Sequence, residues 1–361
     1  MKHPRFQTVT FLGGGVAAHV YALIADEILD PAPQRYVIID PVTEAPDRTL
    51  CMWGVPQPIL KPAVIAEWSR IRFGYGQETI CRELGDWAYC QYSAKSIRQL
   101  AEQRLHIDRV TKHATDPVSD ADLTLDSRPS QPLEHVASLS LLQHFLGWRI
   151  HTDVDLFDIG TAVMMDFRTD QSDGACFFYV LPYSATEALV ECTVFSATVW
   201  SEDLYVQRLQ RYIENIIGCK SYTTLSTEQG VIPMNDRRVQ RRRSTNWISI
   251  GSAAGLTKPT TGYTVDRCIR DATSVFTRLE RTGELHVPSE SPARFRWYDR
   301  LLLRIIRDEP ESVSLILWTL FKRNSIQRIL SFLDEQTSLL EEVSLFATLP
   351  WMPFLRAIIR R

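Results

Sequence analysis

The chain has 361 residues and a formal net charge of −3, which allows two domains with a sizeable core and argues against general nucleic-acid binding. Seven cysteines occur without any C-x-x-C pair, and the eight histidines show no ligand spacing. We therefore expect no metal site and no disulfide framework, and a reducing cytosol is the expected compartment.

The N-terminal segment predicts a nucleotide-binding turn. An apolar strand at residues 9–12 runs into Gly13, Gly14 and Gly15, and a helix-like stretch follows at residues 19–28. Glycines in such a unit let the backbone approach a pyrophosphate at the helix N-terminus. A second strand ends at Asp40, where an acid that binds a ribose hydroxyl is expected, about 20 residues past the glycines. The alternative is a glycine turn without a ligand.

Two later turns follow strand-like runs in the same way. Residues 126–129, which begin with Asp126, come after the apolar run 123–125, and an ordinary connection is the favoured interpretation there. Residues 251–263 follow the strand-like run 247–250 and lead into a helix that is expected to open at about Thr264. This second glycine-bearing turn is of the kind that lies under the flavin in flavoproteins with a glycine fingerprint.

Carboxylates and aromatic rings are concentrated in residues 163–196, which we expect to form two paired strands. Acids in an apolar environment have raised pKa values and can hold a proton at neutral pH. Ring faces stabilise a developing cation, so this combination suits protonation of an alkene. The alternative is a hairpin whose acids face solvent by simple alternation. The acids are Asp166, Asp170 and Glu191, and the rings are Phe167, Phe177, Phe178, Tyr179 and Tyr183.

Taken together, these segments resemble the lycopene cyclase family, the bacterial flavin-dependent enzymes that close β-ionone rings on carotenoids. The resemblance covers nearly the whole chain and keeps its segments in the same order. It is carried by residues 13–18, 48–53, 143–148, 165–171, 179–182, 189–193, 230–234 and 254–263.

The element pattern and the resemblance imply an α/β fold. A Rossmann-type FAD-binding domain would comprise residues 1–54, 94–128 and 244–290, and an inserted mixed β-sheet substrate domain residues 55–93 and 135–243. A helical tail would follow at residues 291–361. The expected cofactor-binding residues are Gly13, Gly15, Ala18, Asp40, Arg48, Thr49, Asp126, Gly251, Gly255, Thr261 and Gly262.

The resemblance also implies a reaction, the cyclisation of the ψ-end groups of lycopene or a related acyclic carotenoid without net redox change. FAD would be held reduced, with NADPH or NADH as its reductant. Glu191 is the first choice for the proton donor, with Asp166 and Asp170 as supports, although Asp166 stays open as the donor. The rival classes are a flavin-dependent prenyl reductase or hydroxylase and a non-catalytic carotenoid carrier.

The C-terminal part suggests peripheral membrane contact. Residues 313–321 are rich in aliphatic and aromatic side chains and are followed by Lys322 and Arg323, and residues 351–361 mix such side chains with arginines. This pattern suits either a headgroup-level segment or helices packed on the protein's own core. The basic run 237–243 is either a solvated loop or a contact for anionic lipid. Residues 1–7 are mostly polar and a glycine turn follows, so no signal peptide is expected. We expect a cytoplasmic protein at the inner face of the membrane, of open oligomeric state.

Overall fold

The computed structural model describes residues 6–42, 47–112, 122–128, 139–288 and 291–359, so Pro129, Arg360 and Arg361 of the predicted segments lie outside the described residues. Within those ranges the strands of the N-terminal part are β1 (Thr8–Leu12), β2 (Arg35–Ile39), β3 (Thr49–Gly54), β4 (Ala66–Trp68), β5 (Arg70–Tyr75), β6 (Glu78–Glu83), β7 (Ala88–Ser93) and β8 (Ile107–Val110). The later strands are β9 (Leu123–Asp126), β10 (Ser140–Thr152), β11 (Thr161–Asp166), β12 (Ala175–Pro182), β13 (Glu187–Ser196), β14 (Tyr222–Asn235), β15 (Arg242–Ser244) and β16 (Trp247–Ser249). The helices are α1 (Val16–Ile28), α2 (Ala94–Arg104), α3 (Glu202–Tyr212), α4 (Val265–Thr282), α5 (Ala293–Asp308), α6 (Glu311–Arg323), α7 (Ile326–Leu333), α8 (Leu339–Phe346) and α9 (Trp351–Ile359).

A six-stranded sheet carries both glycine turns, with the strand order β15-β16-β9-β1-β2-β8. Strand β1 pairs in parallel with β2 and β9, and β16 pairs in parallel with β9. These strands are short apolar runs because helices cover the sheet, and α1 packs against α2 and α4 in one core with Val9 and Phe11. The carboxyl ends of β1, β9 and β16 point the same way, so the turns that follow them meet at one edge of the sheet.

The second sheet has seven strands in the order β14-β10-β13-β12-β11-β5-β6. Its pairs are antiparallel except for β11 with β5. Alternation divides its side chains between two cores: Phe177 and Tyr179 pack with the C-terminal helices, whereas Phe178 and Val180 pack with α3. The central strands are therefore covered on both faces, and the face that a residue occupies decides which groups it contacts.

Residues 163–196 form parts of three strands rather than the expected two. The hairpin itself is present as β12 and β13, which pair in register from Ala175 with Phe195 to Pro182 with Ala188. Strand β11 ends at Asp166, and the polar stretch before Gly174 turns the chain because the Asp166 and Asp170 carboxylates accept from the backbone N–H groups two residues further on.

A three-stranded antiparallel sheet, β3-β7-β4, joins the two larger layers. Strand β7 leads directly into α2, whose first turn is capped by the Ser93 hydroxyl accepting from the Ser96 N–H at 3.0 Å. Because β3 pairs with β7, this sheet crosses the predicted boundary at residues 54 and 55. The division into domains stays a prediction.

The C-terminal helices α5 to α9 cover the seven-stranded sheet where a helical tail is expected. Helix α6 packs on β5 and β12, and Phe321 stacks on Phe73 with ring centroids 3.8 Å apart. Among the described residues no one helix is long and apolar enough to cross a membrane. The bent pair Leu339–Phe346 and Trp351–Ile359, with an angle of 107°, meets the criteria of length and composition together.

Candidate active site

A cavity of about 870 Å³ lies where the edge of the parallel sheet meets the seven-stranded sheet. At one end it is lined by Gly15, Val16 and Ala17 at the start of α1. At the other end Tyr179 and Glu191 face it from β12 and β13. The cavity thus runs from the first glycine turn to the predicted acid.

The first glycine turn is shaped by close backbone contacts. Gly13 has φ +92°, and a Cβ there would lie 2.5 Å from the Ser127 Oγ of the neighbouring turn. Asp40 accepts hydrogen bonds from the N–H groups of Gly14 and Val42, so its carboxylate holds the turn from behind. Gly15 has open space around its Cβ position and lines the cavity. A phosphate could therefore approach the N-terminus of α1 here.

The second glycine turn lies against the first. Gly251 has φ +63°, and a Cβ there would lie 2.7 Å from the Ala17 Cβ, so only glycine permits this approach. Gly262 has φ +74° and faces Gln143, whose Oε1 would lie 2.6 Å from a Cβ at residue 262. The buried Gln143 Oε1 and Thr261 Oγ1 have no hydrogen-bond partner among the described residues, and both residues line the cavity. Such orphaned atoms are expected where a polar ligand binds.

The predicted cofactor residues fall into two groups. One group lines the cavity: Gly15, Arg48, Thr49, Gly255, Thr261 and Gly262. The other lies behind its wall and shapes the turns: Gly13, Ala18, Asp40, Asp126 and Gly251. Asp126, for example, is buried and paired with Arg128 at 2.8 Å. That these residues bind the cofactor stays a prediction.

Glu191 faces the cavity, and it differs from the other lining carboxyl groups, Asp236 and Asp299, which pair with Arg300 and Lys258. It is 9% exposed and accepts a hydrogen bond at 2.7 Å from the Thr193 hydroxyl, on the same face of β13. Burial, and then the nearby charge of Glu228, raises the pKa of Glu191 from 4.5 to about 8. The group therefore holds its proton at neutral pH, although its hydrogen bond from Thr193 opposes the shift.

Glu228, on β14, is a functional candidate that sequence reasoning missed. Strand β10 runs between β13 and β14, and its Gly147 is the register partner of both Glu191 and Glu228. A Cβ at Gly147 would lie 3.2 Å from the Glu228 Cγ and 3.4 Å from the Glu191 Cβ. Because Gly147 has no side chain, the two carboxyl groups interact across the strand, and each affects the pKa of the other. A glycine inside a strand is a signal of such a close approach, and residues 143–148 contain it.

Asp166 and Asp170 lie on the other side of the sheet, so the expectation that they support Glu191 is corrected. Asp166 is in register with Phe178, which faces α3, and it pairs with Arg168 at 2.7 Å and accepts from the Tyr212 hydroxyl at 2.7 Å. Asp170 is exposed and pairs with an arginine of α3 at 2.8 Å. Hydrogen bonds, first from the Ser172 N–H, hold the pKa of Asp170 below its ordinary value.

Aromatic side chains surround the Glu191 end of the cavity. Tyr179, Tyr89 and Tyr263 line it, and the Tyr89 and Tyr263 hydroxyls are 2.9 Å apart. Burial raises the pKa of these three phenols, so they remain neutral. Trp53 packs on Tyr263 with centroids 4.3 Å apart. Of the rings expected to surround the acids, Tyr179 lines the cavity, whereas Phe167, Phe177 and Phe178 are core residues and Tyr183 bonds to a glutamine of β7.

The basic run 237–243 is not a simple solvated loop. Arg241 is buried and forms two hydrogen bonds to Asp271 of α4, at 2.7 and 2.6 Å. Arg237 and Arg238 line the mouth of the cavity. Arg241 therefore fixes the wall of the cavity, which removes it from any contact with lipid.

The fold is that of flavin-dependent enzymes. The chain aligns over 91% of its length with 98% of the HpxO protein of Klebsiella pneumoniae complexed with FAD, at a TM-score of 0.59 and 12% identity. It aligns over 98% of its length with 96% of a geranylgeranyl bacteriochlorophyll reductase-like protein from Thermoplasma acidophilum, at a TM-score of 0.56 and 16% identity. The predicted α/β fold class, with its Rossmann-type domain, mixed sheet and helical tail, is confirmed.

Sequence comparison then gives the family. The family model described as lycopene cyclase protein matches residues 8–359, so the chain belongs to the lycopene cyclase family. A lycopene beta-cyclase of Pantoea ananas is 30% identical over 178 residues, which are 45% of this chain and 44% of that relative. One from a Paracoccus species is 28% identical over 152 residues, which are 40% and 38% of the two chains. Each alignment thus spans less than half of the relative's length.

Proposed function

We propose that this protein is a lycopene β-cyclase, which closes the ψ-end groups of lycopene or a related acyclic carotenoid to β-ionone rings. The observation that carries the proposal is a buried Glu191, with no ion-pair partner among the described residues, that faces a cavity lined by tyrosines. Membership of the family supports it. The names of the two partially aligned relatives support the same substrate class.

In the proposed reaction Glu191 adds its proton to the terminal double bond of the end group. The tertiary cation that forms is attacked by the neighbouring internal double bond, which closes a six-membered ring. The Glu191 carboxylate then removes a proton from the ring carbon next to the cationic carbon. One proton enters and one leaves, so the oxidation state is unchanged. The faces of Tyr179 and Tyr263 stabilise the cation, and the closed walls exclude water that would trap it.

The cavity fits a flavin dinucleotide in the positions that the glycine turns define. Gly15 and the start of α1 would hold the pyrophosphate, while Thr261 and Gln143 would bind polar groups further along the cavity. When bound in its reduced, anionic form, FAD would supply a fixed negative charge that stabilises the cation. NADPH or NADH would serve to keep it reduced.

Isotope tracing of the purified protein tests the proposal against a flavin-dependent reductase or hydroxylase. The protein is reconstituted with FAD, reduced without oxygen, and given lycopene in liposomes in deuterated water. A cyclase forms β-rings with one solvent deuterium per ring and consumes no stoichiometric reductant. Stoichiometric consumption of reductant would establish an oxidoreductase instead, and unchanged pigment would reject both. Protein that gains no flavin absorbance on reconstitution would reject the cofactor.

We also propose peripheral membrane contact at the inner face of the cytoplasmic membrane, through a surface on α8 and α9. Lycopene dissolves in lipid, and large apolar side chains project from these two helices. Leu340 is 83% exposed and Trp351 is 64% exposed, which leaves them without a protein partner in the described residues. The apolar surface comprises Leu339, Leu340, Val343, Trp351, Met352, Leu355, Ile358 and Ile359.

A further inference from the structure

We propose that Glu228 is the positioning partner of Glu191, and that the two carboxyl groups form a pair sharing one proton across the side-chain-free surface of Gly147. Only the expected effect of Glu228 on turnover rests on the proposed function. The pair itself is a property of the sheet.

The sheet brings the two residues together at a fixed register. Gly147 is paired with Glu191 on one side and with Glu228 on the other, so the three residues form one row across β13, β10 and β14. Side chains in such a row point to the same face. Any larger residue at the centre would separate the carboxyl groups, since a Cβ at Gly147 already lies within 3.4 Å of atoms of both glutamates.

The hydrogen bonds leave one place for a proton between the carboxyl groups. The Thr193 hydroxyl donates to Glu191 Oε1 at 2.7 Å, and the Thr49 hydroxyl donates to Glu228 Oε2 at 2.8 Å. Glu228 Oε1 is buried and has no hydrogen-bond partner among the described residues. A buried acceptor without a donor is unfavourable, so a proton held on Glu191 and directed at Glu228 completes the row.

The charge of the pair suits both proton transfers. Burial raises the pKa of Glu228, and hydrogen bonds from Thr49 oppose that shift. When Glu228 is ionised, its charge favours the protonated form of Glu191 before reaction. After the O–H bond of Glu191 breaks and the substrate C–H bond forms, the pair carries two negative charges, and the Glu191 carboxylate, which lines the cavity, lies nearest the cation. The repulsion between the two charges makes Glu191 a stronger base when it removes the ring proton, and the pair ends with its original single proton.

Glu228→Gln tests the role, because glutamine still accepts from Thr49 but carries no charge. With an uncharged partner, the alkaline limb of the pH–rate profile should move to lower pH by about 1 unit. Glu228→Asp keeps the charge and should keep the limb near its original position. Glu187→Gln, on the same strand but paired with Arg149 away from the cavity, is the matched control. An alkaline limb unmoved in Glu228→Gln, at whatever overall rate, would overturn the proposal.

Infrared spectroscopy gives a readout that does not depend on turnover. The wild-type protein should show the carbonyl band of a protonated carboxyl group at neutral pH, and Glu191→Gln should lack it. In Glu228→Gln the band should titrate away at lower pH than in the wild type, and in Gly147→Ala its frequency should shift because the pair is separated. Identical titrations of this band in the wild type and in Glu228→Gln would show that the two carboxyl groups do not share a proton. A band that behaves as expected in a protein that does not cyclise lycopene would uphold the pair and reject the proposed function alone.

Discussion

At the scale of the residue, the chemistry of the site depends on which carboxyl group is buried without an ion-pair partner. Asp166 is more completely buried than Glu191, yet it forms an ion pair with Arg168 and accepts a hydrogen bond from the Tyr212 hydroxyl. Glu191 has a threonine and another glutamate as neighbours, so burial favours its protonated form. Partners, rather than burial alone, separate a structural carboxylate from a proton donor.

Glu191→Gln should abolish most cyclisation. Glutamine keeps the shape and the hydrogen bond from Thr193 but has no transferable proton, so the rate should fall by about 10²–10⁴-fold. Pigment analysis of the purified, flavin-loaded variant measures this. Asp166→Asn should instead lower the free energy of unfolding by about 2 kcal/mol, because Arg168 loses its ion-pair partner. Near-normal ring formation by the folded Glu191→Gln protein would mean that another acid donates the proton.

The pH dependence of protein stability should also reflect the raised pKa of Glu191. The pKa of Glu191 is about 8 in the folded protein against 4.5 ordinarily, so the folded state binds a proton that the unfolded chain releases. The contribution of Glu191 to the free energy of unfolding is fully present below pH 4.5 and is lost as the pH rises through about 8. Melting temperatures of Glu191→Gln should therefore fall less than those of the wild type between these limits. Equal falls in both proteins would mean that Glu191 is not the group responsible.

At the scale of the element, glycines set the distances between neighbouring segments. Gly251 lets the second turn rest on α1, and Gly147 lets two carboxyl groups meet across β10. Both positions lie in segments that the sequence already marked. The close approach explains why these positions hold glycine, since a methyl group would reach an occupied space.

Gly251→Ala should destabilise the protein and weaken flavin binding. Alanine at φ +63° is strained, and its Cβ would displace α1 through Ala17, so we expect a loss of about 3 kcal/mol. Gly218→Ala is the matched control, since Gly218 has φ +83° but open space around its Cβ; strain alone should cost about 1–2 kcal/mol. Thermal melting and flavin titration compare the two. Similar losses in both variants would show that the contact with α1 is unimportant.

At the scale of the whole molecule, the C-terminal helices are part of the site's construction. Lys258, in the second glycine turn, is buried and binds Asp299 of α5 at 2.9 Å and Glu335 at 3.1 Å. Arg356 of α9 pairs with the Glu309 that follows α5. The tail therefore holds the wall of the cavity on one side and presents an apolar surface on the other. Deleting residues 351–361 would remove packed groups such as Ala357 together with the surface, so point substitutions separate the two roles better.

Replacing Leu340, Trp351 and Ile359 by serine should weaken binding to liposomes without loss of melting temperature. These side chains are 83%, 64% and 77% exposed, so their loss removes little internal packing. Flotation with liposomes measures the binding, and activity on lycopene in liposomes should fall with it. The control replaces Val55, Ile159 and Leu225, which are exposed elsewhere on the molecule. Unchanged flotation of the α8–α9 variant would reject this surface as the membrane contact.

The sequence by itself determined the fold class, the family and the glycine turns, because a turn and its flanking strand and helix are encoded by neighbouring residues. It also indicated Glu191, by its place in a segment resembling the family. It gave Asp166 and Asp170 to the same site because they lie in the same acidic, aromatic segment as Glu191. Strand register instead places Asp166 on the opposite face, and Asp170 pairs with Arg208 of α3 there. Only the tertiary structure could bring Glu228 to Glu191. Their contact spans two strand pairings and depends on the empty position at Gly147, and no local pattern records which strands lie side by side.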